Sequence, residues 1–249
     1  MLNLYMHPRR FCTRCFTQKY ILTSIYRPSA KEIPRSKIRL MSVLNKLASS
    51  LNRRDELPNQ ELAKQIAAKK DKNAVQELVG NLSSKNKDIQ NDCIKVLYET
   101  GAINPSLISS YYKEFLALLE HKNNRLQWGA MTALSTITPE NPKAIFSSIS
   151  KIVDASDKGS VITKDHAVNI LVSLCSLKQY ADDAFALLNE QLLQSPVNQL
   201  PMYAEKAMGI VNDKNRKRFI QTLSSRLDEI DKESKRKRVE KVIKKAGGK

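Results

Sequence analysis

The chain has 249 residues, with 42 Lys and Arg against 25 Asp and Glu for a formal net charge of +17, and only seven glycines beside nine prolines. So few glycines, under 3% where a globular chain has about 7%, exclude a turn-dense all-β protein and a Gly/Pro low-complexity chain. Four cysteines make no disulfide scaffold, which points to a reducing, cytoplasmic location, and no apolar run approaches the ~18 residues of a membrane-spanning helix.

Residues 1–40 carry nine basic residues and one acid, a net +8. They contain five aromatics and three prolines but no sustained helical or strand period, so a disordered basic segment is expected. A start set too early, with the chain proper beginning at Met41, and an organellar targeting segment are the two alternatives. Cys12-Thr13-Arg14-Cys15 has CxxC spacing, but a structural zinc site needs four ligands and only His7 is close. No metal or cofactor is expected. Helical sequence resumes at Met41–Ala48, and a capping helix is expected over 58–70.

The centre of the chain repeats every 37 residues. Ile89-Gln90-x-x-Cys93-x-x-Val96-Leu97 aligns with Leu126-Gln127-x-x-Ala130-x-x-Ala133-Leu134, then with Thr163-Lys164-x-x-Ala167-x-x-Ile170-Leu171, then with Leu200-Pro201-x-x-Ala204-x-x-Ala207-Met208. Apolar positions at i, i+4, i+7 and i+8, continued by Ile137, Leu174 and Val211, form one stripe of an α-helix, and the small residue at i+4 admits a close neighbour. Upstream of each lies a partner helix: Ala74–Leu82, Pro105–Glu120, Pro142–Ala155 and Tyr180–Leu193. Pro105 and Pro142 are themselves 37 apart and suit a first helical turn. One such pair cannot bury its apolar face alone, so neighbouring pairs must stack.

On the second helix of each pair, Leu126-Gln127-x-x-Ala130-x-x-Ala133-Leu134-x-x-Ile137 is the best copy of a pattern that resembles the HEAT repeat, a relative of the armadillo repeat. The resemblance covers about residues 72–212. At the family's arginine position stand Gln90, Gln127, Lys164 and Pro201. The resemblance implies an all-α fold, a right-handed α-solenoid of about four regular helix pairs plus irregular caps. It further implies that the second helices line a concave face that binds other proteins. One branch of similar proteins, the AlkD-like alkyl-base DNA glycosylases, is enzymatic.

Opposite the apolar stripe, at 100° per residue, lie offsets −1, +2 and +6. Down the four repeats these are Asp88, Asn91, Lys95; Arg125, Trp128, Thr132; Ile162, Asp165, Asn169; and Gln199, Met202, Lys206. Trp128 is the only tryptophan, next to Gly129, which leaves its ring room, and His166 and Tyr203 sit beside the same track. Arg125 with Trp128 reads as an anchor for a protein partner, with Asn91, Lys95, Asn169, Tyr203 and Lys206 as its polar rim. Alternatively Trp128 covers a junction between repeats with Arg125 snorkelling over it. The twelve positions hold three bases and two acids, which lacks the basic groove a DNA glycosylase needs. Gly-rich phosphate loops, H-E-x-x-H and G-x-S-x-G are absent from the sequence, the three histidines form no i, i+4 pair, and Cys93 and Cys175 read as small core residues.

Residues 213–249 hold fourteen bases and six acids, again +8, so 41–212 keeps only +1. Amphipathic helices are expected over 216–230 and 234–246, forming a basic helical cap that stops the stack from growing. Weak contact with nucleic acid or an anionic membrane through the basic termini is the alternative. The expected protein is therefore a 41–212 repeat domain with a basic segment before it and a cap after it. It is read as a monomeric, non-catalytic scaffold for a protein partner, against the alternative of nucleic-acid binding.

Overall fold

A computed structural model describes residues 42–248, and every regular element in that span is a helix. The expectations for residues 1–40, including the CxxC, lie outside the described residues. Three second helices open on the same device at the same spacing. Asn86 Oδ1 accepts from the N–H groups of Asp88 and Ile89, Asn123 Oδ1 from that of Arg125, and Ser160 Oγ from that of Thr163. These caps satisfy amide groups that the first turn leaves without partners. They start α3 (Lys87–Ile103), α5 (Asn124–Ile137) and α8 (Val161–Cys175), while α10 (Leu200–Ala207) opens with Pro201 in its first turn instead.

The fold is an α-solenoid. The second helices pack in series, α1 (Leu57–Lys69) on α3, then α5, α8, α10 and α12 (Glu233–Ala246). A second row covers one side: α2 (Lys72–Gly80) on α3, α4 (Tyr112–Leu118) on α5, α6 (Pro142–Ser147) and α7 (Ile149–Lys158) before α8, α9 (Ala181–Gln194) on α8, and α11 (Arg216–Ser225) on α9 and α12. The expected helices at 58–70, 216–230 and 234–246 thus appear as α1, α11 with a short 3-10 turn, and α12.

The repeated small residues Cys93, Ala130, Ala167 and Ala204 are all fully buried at the helix contacts. Gly129 is buried too, and a Cβ there would lie 2.7 Å from Ile94 Cγ1. The space beside Trp128 is therefore taken by α3 rather than by the indole ring.

Two first helices are less regular than their sequence suggests. Pro105–Glu120 opens with 3-10 turns at Pro105–Leu107 and Ser109–Tyr111 before α4 begins, and the Pro142–Ala155 segment breaks at Ser148. Serine hydroxyls compete for backbone carbonyls at both breaks: Ser109 Oγ donates to the Ser106 carbonyl and Ser147 Oγ to that of Lys143. Of the expected helix at Met41–Ala48, the described residues 42–48 form one 3-10 turn, Val43–Lys46, tied to α2 by Ser42 and the Val43 N–H, both donating to the Glu77 carboxylate.

The residues at the family's arginine position share one task. Gln90 Nε2 donates to the Ser84 carbonyl (2.8 Å), Gln127 Nε2 to that of Leu119 (2.7 Å) and Lys164 Nζ to that of Ser156 (2.8 Å). Each reaches back to the end of the preceding first helix and pins the turn. Pro201 has no donor, and Arg226 of the next pair takes over, with Nη1 donating to the Leu192 and Ser195 carbonyls at 2.8 Å.

Candidate interaction site on the second-helix face

Glu56, just before α1, projects toward two helices. Its Oε2 lies 2.7 Å from Lys95 Nζ on α3 and its Oε1 lies 2.8 Å from Arg125 Nη2 on α5. Lys95 Nζ also meets Glu99 Oε1 at 2.8 Å, one turn further along α3. The Arg125 guanidinium stands 5.8 Å from the centre of the Trp128 ring, which in turn lies 5.8 Å from the Tyr98 ring at an inclined angle of 51°. Lys95 Nζ is 5.0 Å from the Tyr98 centroid. Three successive second helices therefore meet in one patch of two aromatic rings, two cations and two carboxylates. Arrangements of this kind combine ion pairing with attraction of a cation to a ring's negative face.

The electrostatics follow from burial and pairing. Lys95 is 6% exposed. Burial works against its charge, but hydrogen bonds to Glu56 and Glu99 outweigh it and hold the ammonium above the usual lysine range. The hydrogen bond from Lys95 keeps the Glu56 carboxyl below the usual range, against a smaller opposing effect of burial, with Arg125 adding to the depression. Burial raises the Tyr98 hydroxyl. Asn91 is joined to α5, because Asn123 Nδ2 donates to its Oδ1 at 2.9 Å. Beside it opens a cleft of about 480 Å³ lined by Arg53, Glu56, Asp88, Asn91 and Arg125.

A second cluster lies on α8 and α10. The Tyr203 hydroxyl donates to Asp165 Oδ1 at 2.7 Å, and burial together with that acceptor raises its pKa. His166 Nδ1 is buried without a partner, and burial followed by the nearby Lys206 disfavours the imidazolium. Burial also lowers Lys206, with Asp165 opposing. Asn169 is partly buried one turn beyond Asp165.

The predicted site residues thus divide into two groups. Asn91, Lys95, Arg125 and Trp128 come together around Glu56, while Tyr203 and Lys206 gather around Asp165 with Asn169 nearby on α8. Two of the expected rim residues are not at a rim: Lys95 is 6% exposed and Tyr203 is 1% exposed. Both lie on helices flanked on two sides, α3 by α1 and α5, and α10 by α8 and α12, so positions opposite the main stripe are covered by a neighbour. Trp128 is partly buried and packs against the core, with Arg125 partly exposed over it. Sequence reasoning missed Glu56, Tyr98 and Glu99. Glu99 was within reach of an i, i+4 search from Lys95, whereas Glu56 lies in an irregular link with no repeat register.

No protein-family model matches the chain, and no curated protein matches it. Solved structures do. A designed armadillo repeat protein in complex with the peptide (KR)4 is similar at a TM-score of 0.57 and 16% identity, over 82% of this chain and 98% of that one. A computationally designed armadillo repeat protein for modular peptide recognition is similar at 0.54 and 15%, over 82% and 98%. An engineered protein is similar at 0.52 and 21%, over 82% and 100%. The fold is that of an armadillo/HEAT-like helical repeat. Among the described residues no helix is long and apolar enough to cross a membrane.

Proposed function

We propose that this chain is a non-catalytic, cytoplasmic repeat scaffold whose second-helix face holds a segment of a protein partner. Arg125 and Trp128 are the anchor. The observation that carries this reading is the pre-set geometry of that pair: Glu56 fixes the guanidinium at 2.8 Å while Tyr98 supports the ring from behind at 5.8 Å. Tryptophan and arginine dominate interface hot spots, and side chains already held in place lose little freedom on binding. Asn91, Asn169 and Lys206 form the polar surround. Lys95 and Tyr203 act beneath it, the first holding Glu56 and the second holding Asp165. The designed armadillo repeat protein in complex with (KR)4 supports a peptide as the form of the bound segment.

A peptide-display selection against the full chain tests the reading. Selected peptides should bind Trp128→Ala at least about tenfold more weakly while helicity stays unchanged, as expected for loss of a hot-spot ring. Unchanged affinity, or collapse of the fold in both Trp128→Ala and Trp128→Phe, overturns the anchor.

A further inference from the structure

The last helix pair ends in a concentration of cations that takes no part in the cluster around Trp128. Gly247, just past α12, sits against α11, where a Cβ on it would lie 4.0 Å from Ile220 Cδ1. This contact brings the final turn of α12, with Lys244 and Lys245, beside the first turns of α11, with Arg216, Lys217 and Arg218. Lys214 precedes that turn and Lys241 lies one turn back on α12; all seven side chains are exposed. Only two acids belong to the same stretches, Asp213 and Glu240, so the end carries a net +5. Asp213 is engaged by Arg216 at 2.8 Å. Elsewhere on this pair Arg226 pairs with Glu229, Lys237 with Glu233 and Arg238 with Glu205. Lys217, Arg218, Lys244 and Lys245 have no carboxylate at ion-pair distance among the described residues.

Their surroundings narrow the choice of anionic partner. Among the described residues the large exposed apolar side chains all lie outside α11 and α12, and Val239 and Val242 of α12 are buried. The pair therefore offers no apolar face to a bilayer, which an interfacial helix needs. Phe219 is fully buried, so no ring is presented for stacking on bases, as single-strand binding requires. What remains is a set of flexible point charges: Lys214 just before α11, Arg216 to Arg218 in its first turn, and Lys241 to Lys245 spaced about 6 Å along the axis of α12. A duplex offers one phosphate charge per ~1.7 Å of its axis, a density that an acidic protein surface does not sustain.

We propose that this end of the protein binds the phosphate backbone of double-stranded nucleic acid without regard to base sequence. Phosphate oxygens pair with Lys217, Arg218, Lys244 and Lys245 in the way that carboxylates pair with Lys237 and Arg238. The interaction is independent of the Trp128 face.

Fluorescence anisotropy of the full chain with labelled duplex DNA and duplex RNA tests it, with vesicles of anionic phospholipid as the membrane arm. About five neutralised phosphates predict a fall in affinity of about 500-fold between about 50 and 200 mM salt. Because residues 1–40 add a further +8, two charge-reversal sets of equal size decide the matter. Lys217→Glu, Arg218→Glu, Lys244→Glu and Lys245→Glu together should lower duplex affinity at least about tenfold and flatten the salt slope. The exposed set Lys85→Glu, Lys87→Glu, Lys122→Glu and Lys143→Glu should do neither. The corresponding glutamine set at the four α11 and α12 positions repeats the measurement without new negative charge, and circular dichroism verifies helicity in each. Equal losses in the two sets, no loss in the first, no duplex binding at low salt, or binding to vesicles alone each overturn the proposal.

Discussion

Lys95 Nζ lies 2.7 Å from Glu56 Oε2 across the junction between α3 and the entry to α1, and the ammonium is almost wholly withdrawn from water. Glu56 is 46% exposed, so solvent screens its own contribution, and Glu56→Gln alone should cost under about 1 kcal/mol. Removing Glu99 as well leaves a buried ammonium with no counter-charge, which should cost about 2–4 kcal/mol. Lys95→Met on that double background should restore most of the loss, because the charge and its desolvation disappear together. Urea unfolding of the parent, the two single variants, the double and the triple checks this. A double variant no worse than the sum of two small single losses would show that Lys95 needs no counter-charge.

The same contacts set an acid dependence. Glu56 is held below the usual carboxylate range by Lys95 first and by Arg125 after it, so its stabilising share is present above the unfolded value of about 4.3 and is lost as pH falls through the depressed folded value. Replacing Glu56 by Gln should therefore flatten the fall in the urea midpoint between roughly pH 5 and pH 2, and leave its slope near neutral pH unaltered. An identical acid profile in the variant counts against the network.

Gly129 and Ile94 set the spacing of α3 and α5. A Cβ at residue 129 would come within 2.7 Å of Ile94 Cγ1 and 3.2 Å of its Cγ2. Gly to Ala in a helix gains about 1 kcal/mol from propensity, whereas overpacking costs 1–3, so Gly129→Ala should be destabilising by about 1 kcal/mol. In an Ile94→Ala background the sign should reverse, since the obstructing atoms are gone. Gly80→Ala, with nothing within 4 Å of its Cβ, should stabilise in either background. Thermal unfolding of the set reads out the cycle; a Gly129→Ala protein as stable as the parent would mean that α5 shifts freely.

The fold was legible because each repeat makes the same local decisions. Cys93, Ala130, Ala167 and Ala204 share one position 37 residues apart, and each is small because a helix crosses there. The candidate site was legible in part. Arg125 and Trp128 stand out on a single helix, and the structure joins them. Lys95 and Tyr203 were misplaced because a helical wheel assumes one buried side, while a helix inside a stack is covered by two flanking neighbours as well. Glu56 was invisible for a different reason: it sits in an aperiodic link, and only the folded chain brings it to α3 and α5.

Arg226 supplies what Pro201 cannot. Its Nη1 donates to the carbonyls of Leu192 and Ser195 at 2.8 Å, at the end of α9, where the earlier repeats use a glutamine or lysine at the corresponding end of their own first helices. Arg226 is 6% exposed, so these carbonyls have little access to water. Arg226→Met should cost about 2–4 kcal/mol, from buried acceptors left without donors and the lost pairing with Glu229. Gln127→Ala removes one such bond and should cost only about 1 kcal/mol. Hydrogen exchange should localise the Arg226 effect to α9–α12, and uniform loss of protection would contradict a role confined to that junction.

Cys93 and Cys175 sit on opposite sides of the α5 contact, in α3 and α8, and burial pushes both thiols up to about 12. With that value about one molecule in ten thousand carries a thiolate at pH 8, so neither should react with a thiol reagent in the native protein. In the unfolded chain both ionise near 8.5, and the native state then binds more protons than the unfolded one. Stability should accordingly hold below about pH 8.5 and fall as pH rises from there toward 12. Replacing both by Ala should remove that part of the alkaline loss, with a cavity cost smaller at Cys175, which is slightly exposed, than at Cys93, which is not. Peptide mapping after alkylation checks the first point: Cys93 and Cys175 should be unlabelled at pH 8 without denaturant and fully labelled in urea. Rapid native labelling of either would place that thiol at a contact that opens readily, and α3 or α8 would then be a mobile part of the stack.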